Sequence, residues 1–95
     1  MSVLVILEVK AKPNSREALT DYFRKNLPDT REYDGCQNIT THLSDDGVSV
    51  VLVEHWDSKE HYDKYLAWRT ERGDVAALEK LFEDPKFRFF NFWGA

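Results

Sequence analysis

Val48-Ser49-Val50-Val51-Leu52-Val53-Glu54-His55-Trp56-Asp57-Ser58-Lys59-Glu60-His61-Tyr62-Asp63-Lys64-Tyr65 starts as a β-rich apolar run and ends as a helical pattern. Val48, Val50, Leu52, Glu54 and Trp56 alternate with Ser49, Val51, Val53 and His55. This is the period of two of a strand, written in residues that favour pleated structure. Asp57 or Ser58 is placed to accept a backbone N–H as the helix cap, and Glu60 stands three residues after Asp57, the spacing of a capping box. Beyond the cap, Ser58, His61, Tyr62, Tyr65, Leu66 and Arg69 recur at helical spacing, so one face of that helix looks back toward the sheet. Aromatic and ionisable groups therefore meet where a strand hands over to a helix.

The same patterns extend outward in both directions. A first strand is predicted over about Ser2 to Ala11, ended by Lys12-Pro13. Asn14 or Ser15 then caps a helix whose apolar stripe is Ala18, Leu19, Tyr22, Phe23 and Leu27, and which should weaken near Pro28. Asp29 to Gly35 reads as a last turn and loop, followed by a strand over about Gln37 to Ser44. Asp45-Asp46-Gly47 makes a tight hairpin into the quoted strand. After the quoted helix, Gly73-Asp74 punctuates, a short helix follows over Val75 to Phe82, ending by Asp84 because Pro85 cannot continue it, and Lys86 to Trp93 supplies a fourth strand.

The order βαββαβ is the ferredoxin-like arrangement, an α+β fold with an antiparallel sheet and helices on one face, in one domain over residues 1–95. The first strand puts Val3, Val5, Leu7 and Val9 on one side and Leu4 and Ile6 on the other. The fourth puts Phe87, Phe89 and Trp93 against Phe90 and Phe92. Both sheet faces thus ask for burial while helices are available for one. The simplest cover for the second face is the same face of a second copy, giving a homodimer. A chain of 95 residues leaves a large share of its surface exposed, so such association would also help its stability.

Charge and cysteine content narrow the remaining classes. The net charge is -4 with 13 scattered Lys and Arg, whereas a nucleic-acid surface needs them clustered, so no nucleic-acid partner is expected. A lone Cys36 excludes an intrachain disulfide and fits a reducing, cytoplasmic location. The apolar stretch Val3 to Leu7 is broken by Glu8 and Lys10 and lacks the flanks of a signal peptide, and nothing is long enough to cross a membrane. There is no Gly-rich phosphate loop and no ligand spacing for a metal: His55 and His61 are six apart across a strand-to-helix turn with no Cys or carboxylate cluster to complete a shell.

Glu54-His55-Trp56-Asp57-Ser58-Lys59-Glu60, together with Tyr33-Asp34-Gly35-Cys36 ahead of the second strand, resembles the antibiotic biosynthesis monooxygenase domains. The likeness covers nearly the whole chain. It implies a dimeric α/β barrel of βαββαβ units and, in the enzymes, oxidation of a polycyclic phenol or quinol by O2 without flavin, haem or metal, hence no cofactor. Members that oxidise polyketides use a tryptophan on this strand and a tyrosine six residues later, positions held here by Trp56 and Tyr62. Two positions depart from that pattern: their asparagine four residues before the tryptophan is Leu52, and a second-helix histidine of quinol-oxidising relatives falls at Tyr65. Haem-degrading relatives need a strand-one Asn that is absent here, and a second-helix His for which only His61, in the first turn, is available.

His61 and Tyr62 are accordingly the candidate catalytic residues, with Trp56, Tyr65, Trp68 and Arg69 as candidate substrate contacts. His suits proton transfer near neutrality, and phenol and indole groups suit a planar aromatic ligand. Each also has a plainer reading, with Trp56 as core, Tyr62 and Tyr65 as core residues with a wet tip, His61 as a cap, and Trp68 and Arg69 as a solvated helix end. Three functions follow: a cofactor-independent monooxygenase of an aromatic phenol or quinol, which is the reading adopted; a non-catalytic binder of a small aromatic ligand; and a structural dimer module. The first further expects Trp56, Tyr62 and Tyr65 to line one cavity between helix and sheet.

Overall fold

A computed structural model describes residues 2–95 and has the element order read from the sequence. The elements are β1 (Val3–Ala11), α1 (Arg16–Glu32), β2 (Cys36–Leu43), β3 (Ser49–Trp56), α2 (Lys59–Glu71), α3 (Asp74–Glu79) and β4 (Phe82–Asn91). The strands form one antiparallel sheet in the order β2-β3-β1-β4. This is the βαββαβ, α+β arrangement, with the two most apolar strands in the centre.

Side-chain alternation decides which face the helices cover. In β1 Val3, Val5, Leu7, Val9 and Ala11 are buried, and in β3 Val50, Leu52, Glu54 and Trp56 are buried. Leu19, Phe23 and Leu27 of α1 pack onto this face with Ile39 of β2 and Phe82 of β4. The register places Val5 opposite Glu54, and Val3 opposite Trp56, so the aromatic end of β3 lies beside the start of β1. A second, mainly aromatic cluster forms there from Val3, Val5, Trp56 and Tyr62. On the other face Leu4, Ile6, Val51 and Val53 stay partly exposed and Phe90 is exposed.

Boundaries differ from the sequence reading at both ends of α1, between α3 and β4, and at the end of β4, which stops at Asn91, short of Trp93. Pro28 does not weaken α1, which runs on to Glu32. Proline fits helical φ and forfeits one backbone bond, and the turn beyond it is held by Thr30, whose carbonyl accepts the Tyr33 N–H. Neither Asn14 nor Ser15 caps α1 through its side chain: Ser15 makes no such bond, and Asn14 occupies a turn at φ 64°. At α2 the cap is Ser58, whose hydroxyl accepts the His61 N–H at 3.2 Å, while the Asp57 carboxylate accepts from Gln37 instead. Helix α3 stops at Glu79, short of Phe82, which pairs with Ala11 as the first residue of β4. Asp84, at φ 55°, and Pro85 sit where the β1–β4 register slips between Glu8 and Lys10, a position an edge strand tolerates because Pro85 owes no ladder hydrogen bond there.

Candidate functional site

Between the helix-covered face of the sheet and helices α1, α2 and α3 lies a cavity of about 100 Å³. Its walls are almost wholly apolar, with Leu52 from the sheet, Phe23 and Leu27 from α1, Leu66 from α2, Leu78 from α3 and Phe82 from β4. Six polar residues also reach it from α1, β3 and α2: Tyr22, Asn26, Thr30, Glu54, Tyr62 and Tyr65. Arg69 and Asp74 close one side. Two larger hollows, about 670 and 990 Å³, are open surface grooves lined by charged residues of the first half of α1, among them Arg16 and Arg24, and lie away from the aromatic end of β3.

Glu54 is the feature that sequence reading passed over. Strand parity places it between Leu52 and Trp56 on the buried face, and it is 3% exposed. The Trp56 indole N–H donates to its Oε1 at 3.1 Å. Burial pushes the Glu54 carboxyl up to about 7, the indole hydrogen bond opposing this only in part. Its second oxygen has no hydrogen-bond partner among the described residues, nor has the Tyr62 hydroxyl. Yet no side-chain nitrogen or oxygen among these residues is both sealed off and unpartnered. Both atoms therefore keep access to free space, and both residues line the cavity. Tyr62 is raised well above the ordinary phenol range, first by burial and then by the negative charge of Glu54, so it is a fixed hydrogen-bond donor.

Arg69 is 4% exposed and spends its guanidinium on the protein. Nε donates to the Tyr65 hydroxyl (3.1 Å), Nη1 to Asp74 Oδ2 (2.9 Å), and Nη2 to the Asn26 carbonyl (2.8 Å) and Thr30 Oγ1 (3.0 Å). Tyr65 and Thr30 hydroxyls lie 2.7 Å apart. Because Tyr65 accepts from Arg69, its own proton is available to Thr30, whose hydroxyl is 3.4 Å from the Asn26 carbonyl. Tyr22 donates to the Asp74 carbonyl at 2.8 Å. One guanidinium thus ties α1, α2 and the start of α3 together. Arg69 and Tyr65 line the cavity with their polar tips engaged, and burial raises Tyr65 above the usual phenol range.

The remaining candidates fall outside the cavity. Trp56 is 0% exposed, packed edge-on against Tyr62 at 5.7 Å and tilted on Tyr65 at 4.9 Å, so it backs the site through Glu54 and does not line it. The His61 ring bonds Ser58 Oγ through Nδ1 at 2.6 Å and overlies Gly35, with Nε2 3.9 Å from Asp34. Trp68 lies tilted against Tyr33 at 5.0 Å, with the Arg69 and Arg72 guanidiniums 4.7 and 4.8 Å from its ring. Thus the structure gathers Tyr62, Tyr65 and Arg69 around one space and leaves His61, Trp68 and Trp56 outside it. Among the described residues no group of three or more His, Cys, Asp or Glu is placed to hold a metal ion. No helix among them is long and apolar enough to cross a membrane.

Comparison with known proteins gives this geometry a setting. Residues 2–70 match the family model described as antibiotic biosynthesis monooxygenase. Rv0793 of Mycobacterium tuberculosis, provisionally named a monooxygenase, is 30% identical over 79 residues, spanning 77% of this chain and 78% of its own. Its structure superposes with a TM-score of 0.87 at 23% identity, covering 100% of this chain and 98% of that one. SnoaB, a cofactor-independent oxygenase from Streptomyces nogalater, shares the fold at a TM-score of 0.84 and 16% identity, over 99% and 95% of the two chains. A monooxygenase from ActVA-Orf6 of Streptomyces coelicolor, solved with nanaomycin D, does so at 0.79 and 23% identity, over 99% and 89%.

Proposed function

Since this chain belongs to the antibiotic biosynthesis monooxygenase family, we propose that it oxygenates an electron-rich phenol or quinol with O2, drawing the electrons from the substrate and using no cofactor. The observation that supports this most is the pairing of two unengaged polar atoms, the second Glu54 oxygen and the Tyr62 hydroxyl, on one nearly apolar cavity. A carboxylate titrating near 7 suits removal of a phenolic proton, and a phenol that stays protonated suits donation to the resulting oxyanion. The proton acceptor in this reading is Glu54, because His61 lies across α2 on Gly35. Arg69 and Tyr65 hold the wall, and Trp56 orients Glu54.

With a hydroquinone bound, the reaction begins at the hydroxyl next to Glu54. Glu54 takes one phenolic proton, and the electron-rich carbon beside the oxyanion adds O2, one electron passing first and the radicals then joining as a C–O bond. Glu54 returns its proton to the new peroxide. Loss of the hydrogen on that carbon with cleavage of the O–O bond expels water and leaves a carbonyl, the tautomer of a hydroxyquinone. One hydroquinone and one O2 give one hydroxyquinone and one water.

The partner in this reading is a second copy of the chain. Leu4, Ile6, Val51, Val53 and Phe90 form an uncovered apolar face, and two such faces in contact would give the barrel that the family resemblance implies. The half-buried Cys36, unpaired, fits a reducing cytoplasm. Oxygen uptake by purified protein across a panel of phenols and hydroquinones tests the activity. Substrate-dependent uptake that falls in Glu54→Gln supports it; a stoichiometric bound flavin, haem or metal overturns the mechanism. Phenol binding without any uptake would leave a binding module. Sedimentation showing only monomer at micromolar concentration would remove the dimer.

A further inference from the structure

Resting on that oxygenase reading, we infer that the site is built for a single aromatic ring, so that its substrates are one-ring hydroquinones or phenols and fused two- and three-ring compounds are excluded. The cavity measures about 100 Å³. An apolar protein cavity of roughly 150 Å³ accommodates one benzene molecule, whereas pockets for drug-sized ligands run to about 300–1,000 Å³. One ring therefore needs only a small relaxation of the walls, while each fused ring adds a demand of similar size again.

The walls facing Glu54 resist that demand. Phe23 and Leu27 of α1 are buried against the sheet, and the spacing of α1 from α2 is fixed by two hydrogen bonds from the Arg69 guanidinium, to the Asn26 carbonyl and to Thr30 Oγ1. Trp56, fully enclosed behind Glu54, leaves no room on that side. The wall with least packing is α3, in which no residue is buried and from which Leu78 reaches the cavity. The two polar residues suit one ring as well, because Glu54 and Tyr62 line the same small space and can serve one phenolic oxygen.

The experiment compares 1,4-benzohydroquinone, 1,4-naphthohydroquinone and an anthracene-sized hydroquinone for O2 uptake above autoxidation, and phenol, 1-naphthol and 2-anthrol for binding by calorimetry. The one-ring compounds should lead the two-ring ones by at least tenfold in kcat/KM and in affinity, with the three-ring ones inert. Leu78→Ala, which enlarges the α3 wall, should narrow the gap between one and two rings. Faster turnover or tighter binding of the three-ring compounds overturns the size limit and leaves the oxygenase reading standing. Ring-size discrimination in binding with no O2 uptake for any compound keeps the size limit and sinks the oxygenase reading. Absence of binding for every ring size overturns the inference, and should Leu78→Ala fail to fold, the wild-type series decides alone.

Discussion

Helices α1 and α2 lie on the same face of the same sheet and are held there by different forces. In α1 the buried residues are Leu19, Phe23, Leu27 and Thr30, a regular stripe whose energy comes from apolar area removed from water. In α2 the only buried residues are Tyr62 and Arg69, two turns apart and both polar at the tip. What α2 lacks in apolar stripe it replaces with directed bonds: Ser58 at its start, Tyr65 and Arg69 in its later turns. Apolar packing tolerates sliding, whereas hydrogen bonds fix distance and angle. The helix that carries the candidate site is thus the one positioned by geometry-demanding contacts.

The strongest break in this contrast is Arg69→Ala. It should destabilise by about 3–5 kcal/mol, the cost of removing one partner from a buried charged network, because the Asn26 carbonyl and Thr30 Oγ1 lose their donor and Asp74 is left with Arg72 alone. Urea denaturation at fixed protein concentration reads it, and a loss under about 1 kcal/mol would mean that α2 is held by packing after all. On the other helix, Leu19→Ala should cost about 3 kcal/mol as an ordinary core cavity, with binding of a one-ring phenol nearly unchanged once folding is corrected for.

Glu54→Gln separates stability from function. Activity should fall about 100-fold or more, as for loss of a general base. The wild-type kcat/KM should rise with pH through about 7, as the Glu54 carboxyl gives up its proton, and this limb should vanish in the variant. Stability moves the opposite way. A carboxyl lifted from 4.5 to about 7 binds its proton more tightly in the folded state, so its contribution is complete below 4.5 and is lost as pH rises through 7. The penalty above pH 7 is about 3 kcal/mol for a group this buried, and Glu54→Gln should therefore flatten the fall in stability between pH 5 and pH 8 seen in thermal melts. A stability curve with equal slope in both proteins would show that Glu54 titrates normally. Tyr62→Phe removes one hydroxyl with little volume and should lower kcat/KM by about tenfold, roughly 1.4 kcal/mol, leaving the melting temperature almost unmoved. Smallest of all, Ser58→Ala should cost about 1 kcal/mol in stability by uncapping α2.

Fold and site were legible to different depths. The α1 stripe and the alternation of β1 and β3 are repeated signals, and each repeats the same instruction several times over, so the fold follows from them. The site is a set of single residues. Tyr62, Tyr65 and Arg69 could be found because they share one face of one helix. The roles of Thr30, Asn26 and Asp74 could not, since they meet Arg69 from other elements up to 43 residues away and no spacing in the sequence links them to it. Glu54 did leave a signal, a carboxylate at a core-facing strand position between Leu52 and Trp56, and its neighbours' apolar regularity hid it. His61 shows the converse, a residue type suited to proton transfer that the cap geometry turns onto Gly35.

That last contact also constrains how the chain can change over time. A methyl group on Gly35 would overlap the His61 ring, and its φ of 90° disfavours any side chain independently of the ring. Truncating residue 61 to alanine relieves the overlap with the ring but keeps the Cβ of that residue, 2.5 Å from where a side chain on Gly35 would begin. Glycine at 35 therefore accepts many residues at 61, while any residue at 61 that carries a Cβ requires glycine at 35. The dependence runs one way, and a lineage that drifts at 61 keeps its glycine at 35.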